Sequence, residues 1–133
     1  DITFCTIDKA NYELEFAAAF NPLFLVRDGE MFEIKGNKFS VGIYLEKEAK
    51  SFTNNKLKIR KGDVIYIFSD GYADQFGGPR GKKFMQNQFR TLLFDIHRKP
   101  MPEQKRILDQ TIEHWRGMED QVDDILVMGL RVN

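Results

Sequence analysis

The hydrophobic pattern of the chain changes its period close to Asp70, and this change constrains the fold more than any other feature. Up to Phe68 the apolar residues alternate or form short continuous runs, which is typical of β-strands. From Phe84 to Trp115 they recur every three to four residues, which is typical of amphipathic helices. Strands and helices segregated in this way favour an α+β fold over alternating βαβ units. A chain of 133 residues is expected to form one domain, covering residues 1–133.

Short turns between the strands of the first half predict antiparallel pairing. Asp8-Lys9-Ala10-Asn11 and Lys61-Gly62-Asp63 are turn sequences, and Asp28-Gly29 is a strong two-residue hairpin signal. The strands are predicted at residues 2–8, 12–19, 24–27, 31–34, 51–59 and 64–68, with a short apolar run at residues 39–44.

The second half is predicted to hold two helices and a closing strand. A Gly-rich loop at residues 77–81 precedes an apolar helical stripe. Its members are Phe84, Gln88, Leu92 and Ile96, and Phe89 and Leu93 widen it. A second helix is predicted at about residues 103–115, with Gly117 as its stop signal. Residues 124–132 alternate as a strand.

Two carboxylate motifs lie at the ends of predicted strands. Asp70 follows the apolar strand at residues 64–68, and Asp123 precedes the closing strand. If these strands are antiparallel neighbours, both aspartates lie at one sheet edge, where a hard divalent cation would offset their repulsion. From the motifs alone, a turn at Asp70 and a solvated cap at Asp123 remain alternatives.

Charge and cysteine content exclude some classes of partner and location. Twenty basic residues balance twenty acidic ones, so no net field attracts nucleic acid. The single Cys5 fits a reducing compartment, and no apolar run approaches the roughly 20 residues that span a bilayer. We therefore expect a cytoplasmic protein without a nucleic-acid partner.

Read together, these motifs resemble the metal-dependent protein phosphatases (PPM, type 2C-like), and most of all their bacterial SpoIIE-like branch. Residues 62–71 (GDVIYIFSDG) resemble the Gly-Asp turn, apolar strand and Ser/Thr-Asp-Gly motif of that family, and residues 121–125 (QVDDI) resemble its terminal Asp-Asp/Asn motif. Similar stretches, in the family's order, are residues 18–22, 42–43, 72–78 and 81–84.

The resemblance implies a fold of two packed antiparallel sheets flanked by helices, and a site that binds Mg²⁺ or Mn²⁺. Asp70 and Asp123 would be metal ligands, Gly71 would lie at the metal, and Asp124 would more often orient its neighbour than bind. Apart from the resemblance, Arg80 and Lys82 on the Gly-rich loop could help to bind the substrate phosphate, and a solvated basic loop is the alternative. No side chain is assigned as a catalytic base or nucleophile.

Two departures from the family pattern limit these expectations. Ala19 and Phe20 replace the usual Gly and His, and the early Asp-Gly-His-Gly-like segment is absent, since nothing around Asp1 matches it. The chain is therefore interpreted as the C-terminal part of a domain truncated on its N-terminal side. It is expected to be inactive or very weakly active alone, and to dimerise through exposed sheet edges.

By resemblance, the complete protein would be a serine/threonine phosphoprotein phosphatase that hydrolyses a phosphomonoester with a metal-activated water. Its substrate could be an anti-sigma-factor antagonist, and an upstream sensor domain could tether it to a membrane. The alternative is a catalytically degenerate regulatory or protein-interaction domain that keeps the fold without turnover.

Overall fold

Antiparallel strands make up the first half of the chain, as the alternating pattern predicts. A computed structural model describes residues 2–42 and 50–133, and the chain divides into two compact units. The first unit is Asp1–Ile67 with Arg131–Asn133, and the second is Phe68–Leu130. The apolar run predicted at residues 39–44 lies partly outside the described residues. Ile43, the second residue of the family-like Gly42-Ile43 pair, is also outside them.

A three-stranded sheet has the order β1-β2-β5, formed by β1 (Ile2–Asp8), β2 (Glu13–Ala19) and β5 (Asn55–Lys58). The carboxylate of Asp8 accepts hydrogen bonds from the amides of Ala10 (2.9 Å) and Asn11 (3.2 Å). This bonding fixes the turn between β1 and β2, because Asp can satisfy backbone donors two and three residues further on. Both strand pairs are antiparallel, as predicted.

A four-stranded sheet has the order β4-β3-β6-β9, formed by β3 (Leu23–Arg27), β4 (Glu30–Ile34), β6 (Val64–Phe68) and β9 (Val127–Arg131). Asp28 and Gly29 join β3 to β4 with φ values of 51° and 77°. Two consecutive positive φ values are the signature of a type I′ turn, so the predicted hairpin is confirmed.

The core of the first unit is shared by strands of both sheets. Its fully buried members are Leu14 and Phe16 on β2 and Leu23 on β3, each 0% exposed. The other buried members of this cluster are Ala18, Leu25, Ile59, Ile65 and Val132. Two antiparallel layers that meet in one apolar core confirm the predicted sandwich of sheets.

The second unit contains α1 (Gly71–Asp74), β7 (Phe76–Gly77), β8 (Lys82–Lys83), α2 (Gln86–Ile96) and α3 (Met101–Arg116). Aromatic rings form its core: Tyr72 stacks on Phe89 with 4.5 Å between ring centroids, and Phe84 meets Trp115 edge to face at 5.3 Å. Helix α3 ends at Gly117, whose φ of 57° suits a residue without a side chain.

Both predicted helices and the predicted loop are present in this unit, with bounds that differ from the prediction. The first long helix begins at Gln86 and buries Phe89, Leu93 and Ile96, so Phe84 precedes the helix and Gln88 faces solvent. The second begins at Met101. The loop predicted at residues 77–81 is the turn of a β7-β8 hairpin, and the short helix α1 has no periodic signal in the sequence.

Candidate metal centre

The motif Ser69-Asp70-Gly71 directly follows strand β6, whose residues form a largely buried apolar run. Val64, Ile65, Tyr66 and Phe68 are buried, whereas Asp70 directly beyond them is exposed. The carbonyl oxygen of Asp70 accepts a hydrogen bond from the amide of Asp74 (3.0 Å), which starts helix α1. Asp70 therefore lies between a rigid strand and a helical turn, with its carboxylate in a solvent-accessible position.

Strand β9 brings the second carboxylate motif beside the first. At one end of the strand pair, the amide of Gly62 donates to the carbonyl of Val132 (2.8 Å). At the other end, the amide of Ser69 donates to the carbonyl of Leu126 (3.0 Å). The end of β6 is thus next to the beginning of β9, which confirms the antiparallel pairing inferred from the sequence.

The side chain of Ser69 continues this contact beyond the strand. Its hydroxyl donates to the carbonyl oxygen of Asp124 (2.7 Å) and accepts from the amide of Leu126 (2.9 Å). Because these bonds use a side chain, regular pairing begins only at Val127, and the strand predicted at residues 124–132 is shorter than expected.

Gly71 allows the two motifs to approach each other. A Cβ atom added at Gly71 would lie 2.3 Å from the carbonyl oxygen of Asp124 and 3.3 Å from that of Asp123. The first of these separations is shorter than any real Cβ contact, so this position requires glycine while the two segments stay in place. The residues on both sides of Asp70 therefore touch the Asp123-Asp124 backbone.

Asp123 is held by local hydrogen bonds. Its Oδ1 accepts from the amide of Asp124 (2.7 Å), and its carbonyl oxygen accepts from Nε2 of Gln121 (2.8 Å). Asp123 and Asp124 are both exposed. The contacts described for Asp124 involve its backbone, which agrees with a role in orienting Asp123 and leaves direct binding by its carboxylate a prediction.

The donor set suits a hard cation, but it is small. Among residues 2–42 and 50–133, no group of three or more His, Cys, Asp or Glu side chains is arranged to hold a metal ion. What the second unit brings together is two aspartate residues and the backbone oxygens beside them. Oxygen donors of this kind fit Mg²⁺ or Mn²⁺ better than zinc. The residues described here would therefore supply some of the ligands of such a metal ion, and not all of them.

The predicted substrate-binding residues lie on the β7-β8 hairpin. Arg80 and Lys82 are both exposed. The hairpin is anchored by a hydrogen bond from the amide of Gly78 to the carbonyl of Trp115 (2.7 Å) and by an ion pair between Lys83 and Asp74 (3.1 Å). The ion pair connects the hairpin to α1, which directly follows Asp70.

Gln75 is a structural residue that sequence reasoning missed. Its side chain is 0% exposed, and its Nε2 donates to the carbonyl oxygen of Asp120 (2.9 Å). Its carbonyl oxygen accepts from Nε1 of Trp115 (3.1 Å). Gln75 thus connects the segment after Asp70 to the segment before Asp123. A glutamine in a polar stretch carries no signal of burial.

Comparisons with known proteins identify the family and the fold of the chain. The sequence profile of the family described as "Stage II sporulation protein E (SpoIIE)" matches residues 1–133. No curated protein sequence matches the chain significantly.

Among the described residues, no helix has the length and apolar character needed to cross a membrane.

Solved phosphatase domains are similar to this chain over nearly its whole length. The SiaA-PP2C domain of Pseudomonas aeruginosa is 30% identical, with a TM-score of 0.88, and the match covers 98% of this chain and 51% of that one. The phosphatase domain of the cell fate determinant SpoIIE from Bacillus subtilis is 15% identical, with a TM-score of 0.66, and the match covers 99% and 58%.

RsbX in complex with magnesium is 14% identical, with a TM-score of 0.56 over 96% of this chain and 53% of that one. The chain thus spans about half the length of the solved domains that it matches. The chain belongs to the SpoIIE family and has the fold of the PP2C-type phosphatase domains.

Proposed function

We propose that the full-length protein is a divalent-metal-dependent phosphoprotein phosphatase in which Asp70 and Asp123 are metal ligands. The observation that carries this proposal is the contact between Ser69-Asp70-Gly71 and the Asp123-Asp124 backbone, with the Ser69 hydroxyl 2.7 Å from the Asp124 carbonyl oxygen. Two aspartates far apart in sequence are thereby held on touching backbone segments. Neighbouring carboxylates repel each other unless a cation offsets their charge.

Relatives support the choice of metal. One structure of the Bacillus subtilis SpoIIE phosphatase domain is described as Mn presoaked, and RsbX is described in complex with magnesium. Mg²⁺ is commonly held by one or two carboxylates while it keeps several waters, so a pair of exposed aspartates is an adequate part of such a site. The remaining ligands are proposed to come from the part of the domain that this chain does not contain.

The residues of this chain would position the metal. A bound Mg²⁺ or Mn²⁺ would supply Lewis-acid chemistry, offsetting charge on phosphoryl oxygens and activating water. Asp70 would contribute a carboxylate fixed between β6 and α1, and Asp123 one whose Oδ1 is oriented by the Asp124 amide at 2.7 Å. Phosphoryl transfer needs little covalent participation by the protein, so the absence of an assigned nucleophile is consistent with this chemistry.

Family membership and surface charge support a proposal for the substrate class. We propose a protein that carries phosphoserine or phosphothreonine, such as an anti-sigma-factor antagonist, with Arg80 and Lys82 near its phosphate. Both are exposed on a hairpin anchored to the rest of the second unit. Exposed cations on such a hairpin can approach a dianionic phosphate without a large desolvation cost.

Turnover by the full-length protein tests the proposal. With Mn²⁺ and a phosphoserine protein, Asp70→Asn and Asp123→Asn should each lower kcat/KM at least 100-fold, because each removes a charge that binds the metal. The exposed Asp95 of α2 provides the control, since Asp95→Asn removes the same charge elsewhere in the second unit. Equal activity of all variants would contradict the site, and no turnover by the wild type would favour the degenerate regulatory domain. The 133-residue chain alone should show no measurable turnover.

A further inference from the structure

Ser69 makes more contacts across the candidate centre than a turn residue requires. Its amide donates to the carbonyl of Leu126 (3.0 Å), and its hydroxyl both accepts from the amide of Leu126 (2.9 Å) and donates to the carbonyl of Asp124 (2.7 Å). These three bonds connect the residue before Asp70 to the residues that follow Asp123.

We propose that Ser69 is a positioning residue of the metal centre, whose hydroxyl sets the separation between the Asp70 and Asp123 segments. This inference rests on the proposed function, because it assumes that the two aspartates bind one metal centre. It assigns Ser69 no contact with metal or substrate. Its effect reaches the metal through the Asp123-Asp124 backbone.

A hydroxyl is suited to this position because it donates and accepts at the same time. Serine therefore satisfies the Leu126 amide and the Asp124 carbonyl together, at the point where regular strand pairing has not yet begun. Alanine would satisfy neither of these groups. Gly71 contacts the same carbonyl oxygen from the other side of Asp70, since an added Cβ would lie 2.3 Å from it. The Asp124 carbonyl thus accepts a hydrogen bond from the residue before Asp70 and lies close to the residue after it.

The hydrogen bonds of the Ser69 hydroxyl are exposed to solvent, and this exposure distinguishes a role in positioning the metal ligands from a role in stability alone. The hydroxyl bonds lie at the surface, and Asp124 and Leu126 are exposed. Water can therefore replace the lost bonds in an alanine variant, which keeps the cost in stability small. Water does not hold the two segments at one separation. Without the hydroxyl the two segments can separate, and we expect Asp70 and Asp123 to bind metal more weakly.

The test measures Mn²⁺ affinity by calorimetry and melting temperature without metal, both on the full-length protein. Ser69→Ala should weaken Mn²⁺ binding about 10-fold, the lower end of the effect of residues that orient metal ligands. Ser69→Thr keeps a hydroxyl and should bind within twofold of the wild type. Ser51→Ala, at an exposed serine before β5, is the matched control and should change nothing. The metal-free melting temperatures of the Ser69 variants should stay close to that of the wild type.

Two results would overturn the inference. One is Mn²⁺ affinity in Ser69→Ala within twofold of the wild type. The other is equal weakening in Ser69→Ala and Ser69→Thr, which would show that the hydroxyl is not the cause. If Ser69→Ala does not fold, Ser69→Cys is measured in its place. A thiol is a weaker hydrogen-bond donor than a hydroxyl, so the Mn²⁺ affinity of Ser69→Cys should fall by less than the roughly 10-fold expected for complete loss of the hydroxyl. Unchanged affinity in Asp70→Asn and Asp123→Asn would instead refute the proposed function, so the two failures are distinguishable.

Discussion

The hydroxyl of Ser69 donates a 2.7 Å hydrogen bond to the carbonyl oxygen of Asp124, which joins two motifs far apart in the sequence. The family-like sequence Ser-Asp-Gly thereby has a physical explanation. The serine binds the opposite backbone, the aspartate presents a carboxylate, and the glycine leaves room for the approach.

Replacing Gly71 should disturb the centre even though alanine is a good helix former. In Gly71→Ala, the new Cβ would lie 2.3 Å from the Asp124 carbonyl oxygen, so the Asp123 segment must move away. We expect Mn²⁺ affinity of the full-length protein to fall at least 10-fold, measured by calorimetry. Gly42→Ala is the control, because a Cβ there meets no atom of residues 2–42 or 50–133 within 4 Å. Wild-type affinity in Gly71→Ala would show that the close approach has no role in metal binding.

Removing the hydroxyl of Tyr72 should lower stability by a modest amount. Tyr72 is 1% exposed, and its hydroxyl donates to the carbonyl of Leu108 in α3 (2.8 Å). Tyr72→Phe keeps the ring stacked on Phe89 but loses this bond, so we expect the free energy of unfolding to fall by about 1 kcal/mol. Urea denaturation measures the change. A loss below about 0.3 kcal/mol would mean that the bond adds nothing to stability.

The stability of the first unit should depend on the ionisation of Asp63. Burial raises the pKa of Asp63. Hydrogen bonds from the Arg27 side chain (2.9 Å) and the Arg60 amide (2.9 Å) together have a larger effect in the opposite direction, so the pKa is below its ordinary value of 3.8. A carboxyl with a lowered folded-state pKa stabilises the protein above its unfolded pKa, and this contribution disappears as the pH falls through the folded value.

Urea denaturation between pH 7 and pH 2.5 tests this dependence. Asp63→Asn should be less stable than the wild type at pH 7, because Arg27 loses its charged partner. The difference should shrink as the pH falls below about 4. A constant difference across the whole range would contradict the assignment to Asp63.

The exposed face of β9 should cause the isolated chain to self-associate. Leu126, directly before the strand, is 56% exposed, and Met128 and Leu130 within it are 54% and 44% exposed. Strand β9 is at the edge of its sheet. Exposed apolar edge strands favour pairing with another copy. Sedimentation of the 133-residue chain should therefore show a dimer, and Met128→Lys should shift it to monomer. A monomeric wild-type chain at high concentration would contradict this expectation.

Sequence reasoning predicted the elements whose signals are local. Strand β6 was predicted with its observed bounds, because a continuous apolar run between Gly62-Asp63 and Ser69-Asp70 has few other interpretations. The type I′ turn at Asp28-Gly29 and the end of α3 at Gly117 follow from residue types that tolerate positive φ.

The deviations arise where side chains replace backbone partners. Strand β5 starts at Asn55 instead of Ser51, since the amide of Thr53 donates to Oδ1 of Asn37 (2.9 Å) and not to a neighbouring strand. Helix α2 starts late because Met85 has a φ of 76°, a conformation that methionine rarely adopts and that its sequence context does not reveal. Such contacts connect distant residues and have no local signature.

For the candidate centre, Asp70 and Asp123 were predicted from their sequence motifs, and their proximity was predicted from antiparallel pairing of the neighbouring strands. The structure added the roles of Ser69, Gly71 and Gln75, which depend on distances that periodicity cannot give. Metal binding by Asp70, Asp123 and Asp124, and substrate binding by Arg80 and Lys82, remain predictions.

Calorimetric titration of the full-length protein with Mn²⁺ tests the central claim most directly. We predict that Asp70→Asn and Asp123→Asn each weaken binding at least 10-fold, whereas Asp95→Asn binds like the wild type. Unchanged Mn²⁺ affinity in both Asp70→Asn and Asp123→Asn would show that these aspartates do not form the metal centre.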